Sequence, residues 1–291
     1  MHRSVFFKAV VLAVFIFQTH LFAEETNSIQ IKGSDTMVNL GQAWAEAFMG
    51  EHPDALIAVT GGGSGTGISA LVGGSCDIAQ SSREMSQKEF DLAKSKGLDV
   101  QEIKVGIDAI AMVVNLENPV EELTIDQLSD IFTGKITNWK EVGGSDEAIL
   151  VLSRERNSGT HVYVLEDVVR KGKKDSPEEF APSVLMMPSS QAIEQEVSSS
   201  TAAIGYFGLG YLNPKVKALR ILNSKTSIYV APSVETATDK SYPLSRPLYF
   251  YLPRQPEGIV KQFVDFALSE KGQQIVLDTH FVPLLKEQAP A

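Results

Sequence analysis

Small polar residues and glycines follow three predicted strands of the chain, at the points where helical patterns begin. The three segments are Ser34-Asp35-Thr36, Gly63-Ser64-Gly65-Thr66-Gly67 and Arg154-Glu155-Arg156-Asn157-Ser158-Gly159-Thr160. The first N–H groups of a helix lack intrahelical partners, and the aligned peptide dipoles place about half a positive charge there. Glycine lets the backbone approach a ligand closely, and a Ser or Thr hydroxyl adds a further donor. These residue types therefore predict a site for a small anion that needs no metal or cofactor.

A fourth polar segment, Gln80-Ser81-Ser82-Arg83, ends another predicted strand and can add a hydroxyl and an arginine. Arg154 can supply charge-assisted hydrogen bonds, which are about twice as strong as neutral ones. Taken singly, each loop is explained by ordinary helix capping and chain reversal. An ion pair with a neighbour on the surface explains Arg156. The coincidence of several such loops favours a binding site.

Enzymatic functions find weaker support in the residues. The glycine-rich segment around Ser64 lacks the lysine of a P-loop and the last glycine of a nucleophile elbow. The histidines beyond residue 23 are His52, His161 and His280, and their spacing is not that of a metal pair. One alternative stays open: a phosphatase or esterase that uses Ser64 or Ser158 as nucleophile and His161 as base.

The elements that must position these residues alternate between strand and helix patterns. We predict strands in SIQIKG, ALIAVTGG, CDIAQ, QEIKVG, AIAMVVN, AILVLS, AAIGYF and PLSRPLYFYL. Helical spacing lies between them, and Ser86 with Glu89 and Thr124 with Gln127 have the spacing of capping boxes. The stretch from 213 to 242 is predicted to be irregular. The order indicates α/β domains with mixed, mostly parallel sheets, whose ligands bind at the carboxyl ends of the strands.

Composition places the chain among ordinary globular proteins. With 291 residues, 43% apolar and 21% charged, it is long enough for about two domains. The net charge of −10 argues against nucleic acid, because a phosphate-backbone clamp needs a basic face. The single cysteine, Cys76, excludes an internal disulfide and reads as a core residue.

The first residues follow the order of a secretory signal peptide. A basic stretch precedes an apolar run from 9 to 17 and the segment Leu21-Phe22-Ala23. We predict cleavage after Ala23, which would also remove two basic residues and make the net charge more negative by two. The apolar run is too short to span a bilayer, and no cysteine stands at the cleavage site for a lipid anchor. The expected location is the periplasm or the outside of the cell.

Longer motifs identify a family. GSDTM, GGGSGTGISAL, DIAQSSREM, IFTGKITNWKEVGG, RERNSGTH and AAIGYFGLGYL occur in this order. On these motifs the chain resembles the periplasmic phosphate-binding proteins that serve ABC-type phosphate importers. The resemblance implies a type II periplasmic-binding-protein fold in which two α/β domains are joined by two crossover strands, with AIAMVVN and LYFYL as candidates. The expected limits are 1–23 for the signal peptide, 24–108 plus 246–291 for domain I, and 109–245 for domain II.

The resemblance also implies the function and its residues. The chain would capture inorganic phosphate without covalent chemistry and deliver it, as a monomer, to the membrane permease of an ABC importer. The phosphate-binding positions carried over by motif are Thr36, Met37, Ser64, Ser82, Arg83, Arg154, Ser158, Gly159 and Thr160. Further candidate positions are Ser34, Asp35, Gly65, Thr66 and Asp108. An adhesion or signalling role on the same fold stays open as an alternative.

One position departs from the pattern of some relatives. Where they carry an aspartate that accepts the proton of hydrogen phosphate, this chain has Ser82. A serine does not repel sulfate by charge, so Asp35 and Asp108 become the candidates for that carboxylate role. The ordinary alternatives are a helix cap for Asp35 and a hydrogen bond in the hinge for Asp108.

Overall fold

The computed structural model describes residues 27–173 and 175–284, so the predicted signal peptide lies outside the described residues. The strands are β1 (Ser28–Gly33), β2 (Leu56–Thr60), β3 (Ile78–Ser81), β4 (Gln101–Asn115), β5 (Glu122–Leu123), β6 (Leu150–Arg154), β7 (Leu185–Met187), β8 (Ala203–Gly208), β9 (Val216–Ala218), β10 (Arg220–Asn223), β11 (Ile228–Val230) and β12 (Ser245–Leu252). The helices are α1 (Val38–Glu51), α2 (Ser64–Val72), α3 (Gln87–Ser95), α4 (Ile125–Phe132), α5 (Gly159–Tyr163), α6 (Ser190–Ser199), α7 (Val234–Thr238), α8 (Gly258–Leu268) and α9 (Glu270–Asp278). Within these ranges, no helix has the length and apolarity that crossing a bilayer requires.

One sheet runs through the molecule in the order β2-β1-β3-β12-β4-β8-β6-β7, with β9 also paired to β4. The pairs β2-β1-β3 and β8-β6-β7 are parallel, whereas β12 and β4 pair antiparallel with each other and with their neighbours. A small second sheet has the order β11-β10-β5. This arrangement confirms the predicted α/β class with mixed sheets.

The long strand β4 joins the two parts of the sheet. Its first part pairs with β12 from Gln101 to Ala109, and its second part pairs with β8 from Ile110 to Val114. The prediction of two separate strands, QEIKVG and AIAMVVN, is therefore wrong. Gly106 does not break the strand, because it keeps its place in the ladder opposite Leu248 of β12.

Separate hydrophobic cores lie on either side of the two crossing strands. One side is built from residues 29–105 and 248–281, including Trp44 and Phe263. Apart from Val282, the other side is built from residues 109–244, including Trp139. The crossing strands therefore connect two halves that each bury their own apolar surface.

Local signals account for most helix starts. Both predicted capping boxes form, at Ser86 with Glu89 and at Thr124 with Gln127. The stretch from 213 to 242 is not irregular as predicted, because it forms β9, β10, β11 and α7. These elements are only three to five residues long and carry many polar side chains, so their hydrophobic periodicity is too short to recognise.

Candidate anion site

The predicted loops meet in the interior, between the two halves. The loop after β1 continues into a short 3₁₀ turn at Asp35–Met37, and the loops after β2 and β6 lead directly into α2 and α5. The loop after β3 lies beside them. We call the six buried hydroxyl-bearing residues contributed by these loops the hydroxyl cluster: Ser34, Thr36, Ser64, Ser82, Ser158 and Thr160.

On one side of the cluster, three serines contact each other. The Ser34 hydroxyl donates to Ser82 Oγ at 2.9 Å, and Ser64 Oγ lies 3.4 Å from Ser82 Oγ. The backbone N–H of Ser82 donates to Ser64 Oγ at 3.1 Å. Ser64 is also the first residue of α2, so its hydroxyl lies at a helix N-terminus, where an anion is favoured.

The other half of the molecule supplies the facing groups. Ser158 caps α5, and its Oγ accepts the N–H groups of Thr160 and His161, which leaves the hydroxyl proton for another partner. Thr160 Oγ1 lies 2.9 Å from Thr36 Oγ1, across the two halves. Gly159 approaches so closely that a Cβ there would lie 2.4 Å from Ser64 Oγ. The close approach, and not an unusual backbone angle, makes glycine necessary at this position.

Arg154 is buried beside the cluster and is held by protein groups. Its Nη1 donates to Asp35 Oδ2 and to Ser190 Oγ, each at 3.0 Å, and its Nη2 donates to the Pro188 carbonyl at 2.9 Å. Asp35 Oδ2 also accepts the N–H of Ser190 at 2.9 Å. The structure thus places Arg154, predicted to pair with the anion, in an ion pair that joins the first loop to the third.

A second buried arginine, Arg246 on β12, reaches the hydroxyl cluster and was not predicted. Its Nη2 donates to Thr160 Oγ1 at 2.8 Å and to Asp108 Oδ2 at 3.0 Å. Arg246 is only 4% exposed, and among the residues that the structure describes its Nη1 has no hydrogen-bond partner. Burial lowers the pKa of this guanidinium, which Asp108 opposes. Arg246 is therefore a buried cation beside the hydroxyls with one group still unused.

Both candidate carboxylates are engaged by arginines. Asp35 pairs with Arg154, as described above. Asp108 is the direct cross-strand partner of Arg246 and also accepts the Leu209 N–H at 3.0 Å. Its complete burial raises the pKa of Asp108, and the pairing with Arg246 counteracts part of that effect.

The remaining predicted residues surround the cluster. Arg83 forms a bidentate ion pair with Glu89 at 2.7 and 2.8 Å. Met37 packs into the core, and its N–H donates to the Ser34 carbonyl at 3.1 Å.

The second and third loops are joined directly. The N–H of Gly65 donates to the Asn157 carbonyl at 2.9 Å, and Asn157 Nδ2 donates to Thr66 Oγ1 at 3.1 Å. Gly65 and Thr66 therefore hold the two loops together across the halves.

His161 is not arranged as a base for either serine. Its Nδ1 lies 3.1 Å from Ser153 Oγ, and its ring stacks on Phe180 with centroids 4.8 Å apart. Burial lowers the pKa of His161 to about 4. In the described ranges, no three His, Cys, Asp or Glu side chains lie close enough to hold a metal ion. The geometry suits reversible binding of an anion.

Comparisons with known proteins show the family to which the chain belongs. The model of the PBP superfamily domain matches residues 22–271. The phosphate-binding protein PstS of Pseudomonas aeruginosa is 31% identical over 87% of this chain and 81% of its own length. PstS of Bacillus subtilis is 33% identical over 89% of this chain and 81% of its own length.

Solved structures extend the similarity to three dimensions. A substrate-binding protein from Clostridium perfringens, named for phosphate ABC transport and solved with bound phosphate, has a TM-score of 0.79 and 34% identity, covering 89% of this chain and 100% of that one. An ABC-type phosphate transport receptor from Vibrio cholerae has a TM-score of 0.68 and 31% identity, covering 88% of this chain and 100% of that one.

Proposed function

Because the chain belongs to the PBP superfamily and, within it, to the family of these phosphate-binding proteins, we propose that it captures inorganic phosphate for an ABC-type importer. The observation that carries the proposal is the hydroxyl cluster, enclosed between two halves with Arg246 at its edge. It supports binding because hydroxyls, helix N-termini and a buried cation are the groups that favour a dehydrated anion.

The hydrogen-bond pattern directs protons toward the ligand. Ser158 Oγ accepts from two backbone N–H groups, so its hydroxyl proton is left for a ligand. Thr160 Oγ1 accepts from Arg246 and shares a second hydrogen bond with Thr36 Oγ1, in which either hydroxyl can donate. Hydrogen bonds to a charged acceptor contribute about 1.5 to 3 kcal/mol each, and more donors converge here than at an ordinary surface site. We propose that phosphate binds among Ser34, Thr36, Ser64, Ser82, Ser158, Gly159, Thr160 and Arg246, with Arg154 ordering the loops.

In this proposal, phosphate binding is coupled to the closure of two domains. One domain consists of residues 24–108 and 246–291, and the other consists of residues 109–245. The separate cores support that division. The ion pair between Asp35 and Arg154 and the contact between Thr36 and Thr160 both cross the boundary. An anion seated there favours the closed arrangement because it adds contacts to both sides.

The rest of the proposal follows from the same site. No covalent step is needed, because the protein performs its task by holding and releasing phosphate. We propose that it acts as a monomer in the periplasm or outside the cell, after removal of residues 1–23, and without a lipid-anchor cysteine. The partner is the membrane permease of the importer, and neither nucleic acid nor a metal takes part. The contact of His161 with Ser153 is one reason not to favour the hydrolase alternative.

Isothermal titration of the dialysed protein with phosphate tests the proposal. The wild-type protein, at micromolar concentration, should give a measurable heat of phosphate binding. Ser64→Ala should weaken the affinity for phosphate by about tenfold, because one donor to the anion is lost. Ser95→Ala, on the exposed face of α3, is the matched control and should bind like wild type. Absence of heat with phosphate, or equal loss in both variants, would contradict the proposal.

A further inference from the structure

The carboxylate of Asp35 is a negative charge beside a candidate site for an anion. Asp35 stands between Ser34 and Thr36, and both neighbours belong to the hydroxyl cluster. A carboxylate in this place repels an anion, so it lowers the affinity for phosphate unless it stabilises the site in another way. The contacts of Asp35 indicate what that other role is.

Asp35 is bonded to three separate elements of the opposite half. Its Oδ2 accepts from Arg154 Nη1, at the end of β6, at 3.0 Å and from the N–H of Ser190, the first residue of α6, at 2.9 Å. Its backbone carbonyl accepts the hydroxyl of Tyr211, which lies in the turn after β8, at 2.8 Å. Each of these bonds crosses between the halves, so each is lost when the halves separate.

The opposite half holds a preformed seat for this carboxylate. Arg154 is fixed by groups of its own half, because Nη1 also donates to Ser190 Oγ at 3.0 Å and Nη2 donates to the Pro188 carbonyl at 2.9 Å. The N–H of Ser190 lies in the first turn of α6, where it has no intrahelical acceptor and the helix dipole favours a negative charge. A preorganised seat of this kind loses little conformational entropy when Asp35 enters it.

We propose that Asp35 is a positioning residue that holds the two halves together and sets how slowly phosphate is released. We call Asp35 and its three partners, Arg154, Ser190 and Tyr211, the latch. Since the latch consists only of protein groups, it forms and breaks in the free protein as well, and bound phosphate shifts the balance toward the closed form. The effect on phosphate release rests on the proposed function, whereas the latch itself does not.

Rates of phosphate exchange test this role. Rapid mixing of the whole protein with radiolabelled inorganic phosphate measures association, and a chase with unlabelled phosphate measures dissociation. In Asp35→Asn, which keeps the size of the side chain and removes its charge, dissociation should be about tenfold faster and association faster by at most about threefold. A carboxylate that only repelled the anion predicts the opposite sign, so tighter binding of phosphate by Asp35→Asn would overturn the proposal.

A second variant leaves the charge of the site unchanged. Tyr211→Phe removes only the hydroxyl that donates to the Asp35 carbonyl, and it should make dissociation about threefold faster. Tyr229→Phe removes a hydroxyl from the small second sheet and is the matched control, which should keep the wild-type rates. Wild-type dissociation in both Asp35→Asn and Tyr211→Phe would overturn the proposal.

A closure-deficient background separates the latch from a general structural effect. In Gly159→Ala the added Cβ would lie 2.4 Å from Ser64 Oγ and hold the halves apart. Asp35→Asn should then no longer change the dissociation rate, because the latch cannot form. An effect of Asp35→Asn that is equally large in this background would show that Asp35 acts within its own half, which contradicts the proposal.

Amide hydrogen exchange of Ser190, measured by NMR in the absence of phosphate, tests the latch on its own. This N–H is protected while it donates to Asp35, so it should exchange about threefold more slowly in the wild-type protein than in Asp35→Asn. Equal exchange in the two proteins would overturn the latch even if phosphate binds. Slower exchange in the wild-type protein without any phosphate binding would support the latch and contradict the proposed function, and equal exchange without binding would contradict both.

Discussion

Replacing Arg246 by methionine leaves Asp108 as a fully buried carboxylate without its counterion. The wild-type pair is close, with Nη2 at 3.0 Å and Nε at 3.3 Å from Asp108 Oδ2. Removing one partner of a buried pair costs about 3 to 5 kcal/mol of the free energy of unfolding. With an m-value of about 3 kcal/mol per molar, the urea midpoint should fall by about 1 to 1.7 M.

The double variant Arg246→Met with Asp108→Asn separates stability from ligand binding. The asparagine side chain introduced by Asp108→Asn carries no charge and still offers an oxygen to the Leu209 N–H. The free energy of unfolding should therefore recover by about 2 to 3 kcal/mol. The affinity for phosphate should not recover, because the cation beside Thr160 is still missing. A charge-assisted hydrogen bond of about 1.5 to 3 kcal/mol corresponds to a loss of about 10- to 150-fold in both variants.

Urea denaturation, monitored by fluorescence, measures the free energy of unfolding, and titration calorimetry with phosphate measures the affinity. If the double variant regained wild-type affinity, Arg246 would act on the ligand only through the fold. If the single variant lost less than about 1 kcal/mol, the pair would be far better solvated than its burial indicates.

Three further predictions concern closure, pH and selectivity. Gly159→Ala should prevent closure of the two halves, because the added Cβ would lie 2.4 Å from Ser64 Oγ. Small-angle scattering should then show no compaction of this variant when phosphate is added, whereas the wild-type protein should become more compact. The pKa of His161 is about 4 in the folded protein, below its ordinary value of 6.5. The free energy of unfolding should therefore fall by about 3 kcal/mol as the pH drops from 6.5 to 4, because the unfolded chain binds the proton at a higher pH than the folded chain does. In urea titrations His161→Gln should flatten this pH dependence, and an unchanged slope would contradict the prediction. Because Asp35 and Asp108 are both paired with arginines, sulfate should compete for the site within about a hundredfold of phosphate in calorimetric competition, and a thousandfold rejection would show that a carboxylate reaches the ligand.

Local sequence signals predicted several members of the hydroxyl cluster. The hydroxyls of Ser64, Ser158 and Thr160 precede or begin helices, and a glycine-rich or N-cap pattern is visible within a few residues of each. The strands before them have clear β patterns, so their place at a sheet edge could be expected. These features depend on neighbours in the chain, which a single sequence contains.

Features that depend on distant pairing could not be predicted in the same way. Arg246 meets Asp108 because the antiparallel pairing of β12 and β4 places the two residues, 138 positions apart in the chain, directly opposite each other. The arginine inside the apolar run PLSRPLYFYL was an available signal, since a charge in a buried strand needs a partner. The engagement of Arg154 by Asp35 likewise depends on how the two halves face each other.

A crystal structure of the protein grown with inorganic phosphate tests the central claim most directly. We predict phosphate oxygens within hydrogen-bond distance, about 2.5 to 3.2 Å, of Ser64 Oγ, Ser158 Oγ and an Arg246 guanidinium nitrogen, with both halves closed around the ion. Phosphate bound elsewhere, or a site in which Arg246 contacts only Asp108 and Thr160, would contradict the assignment.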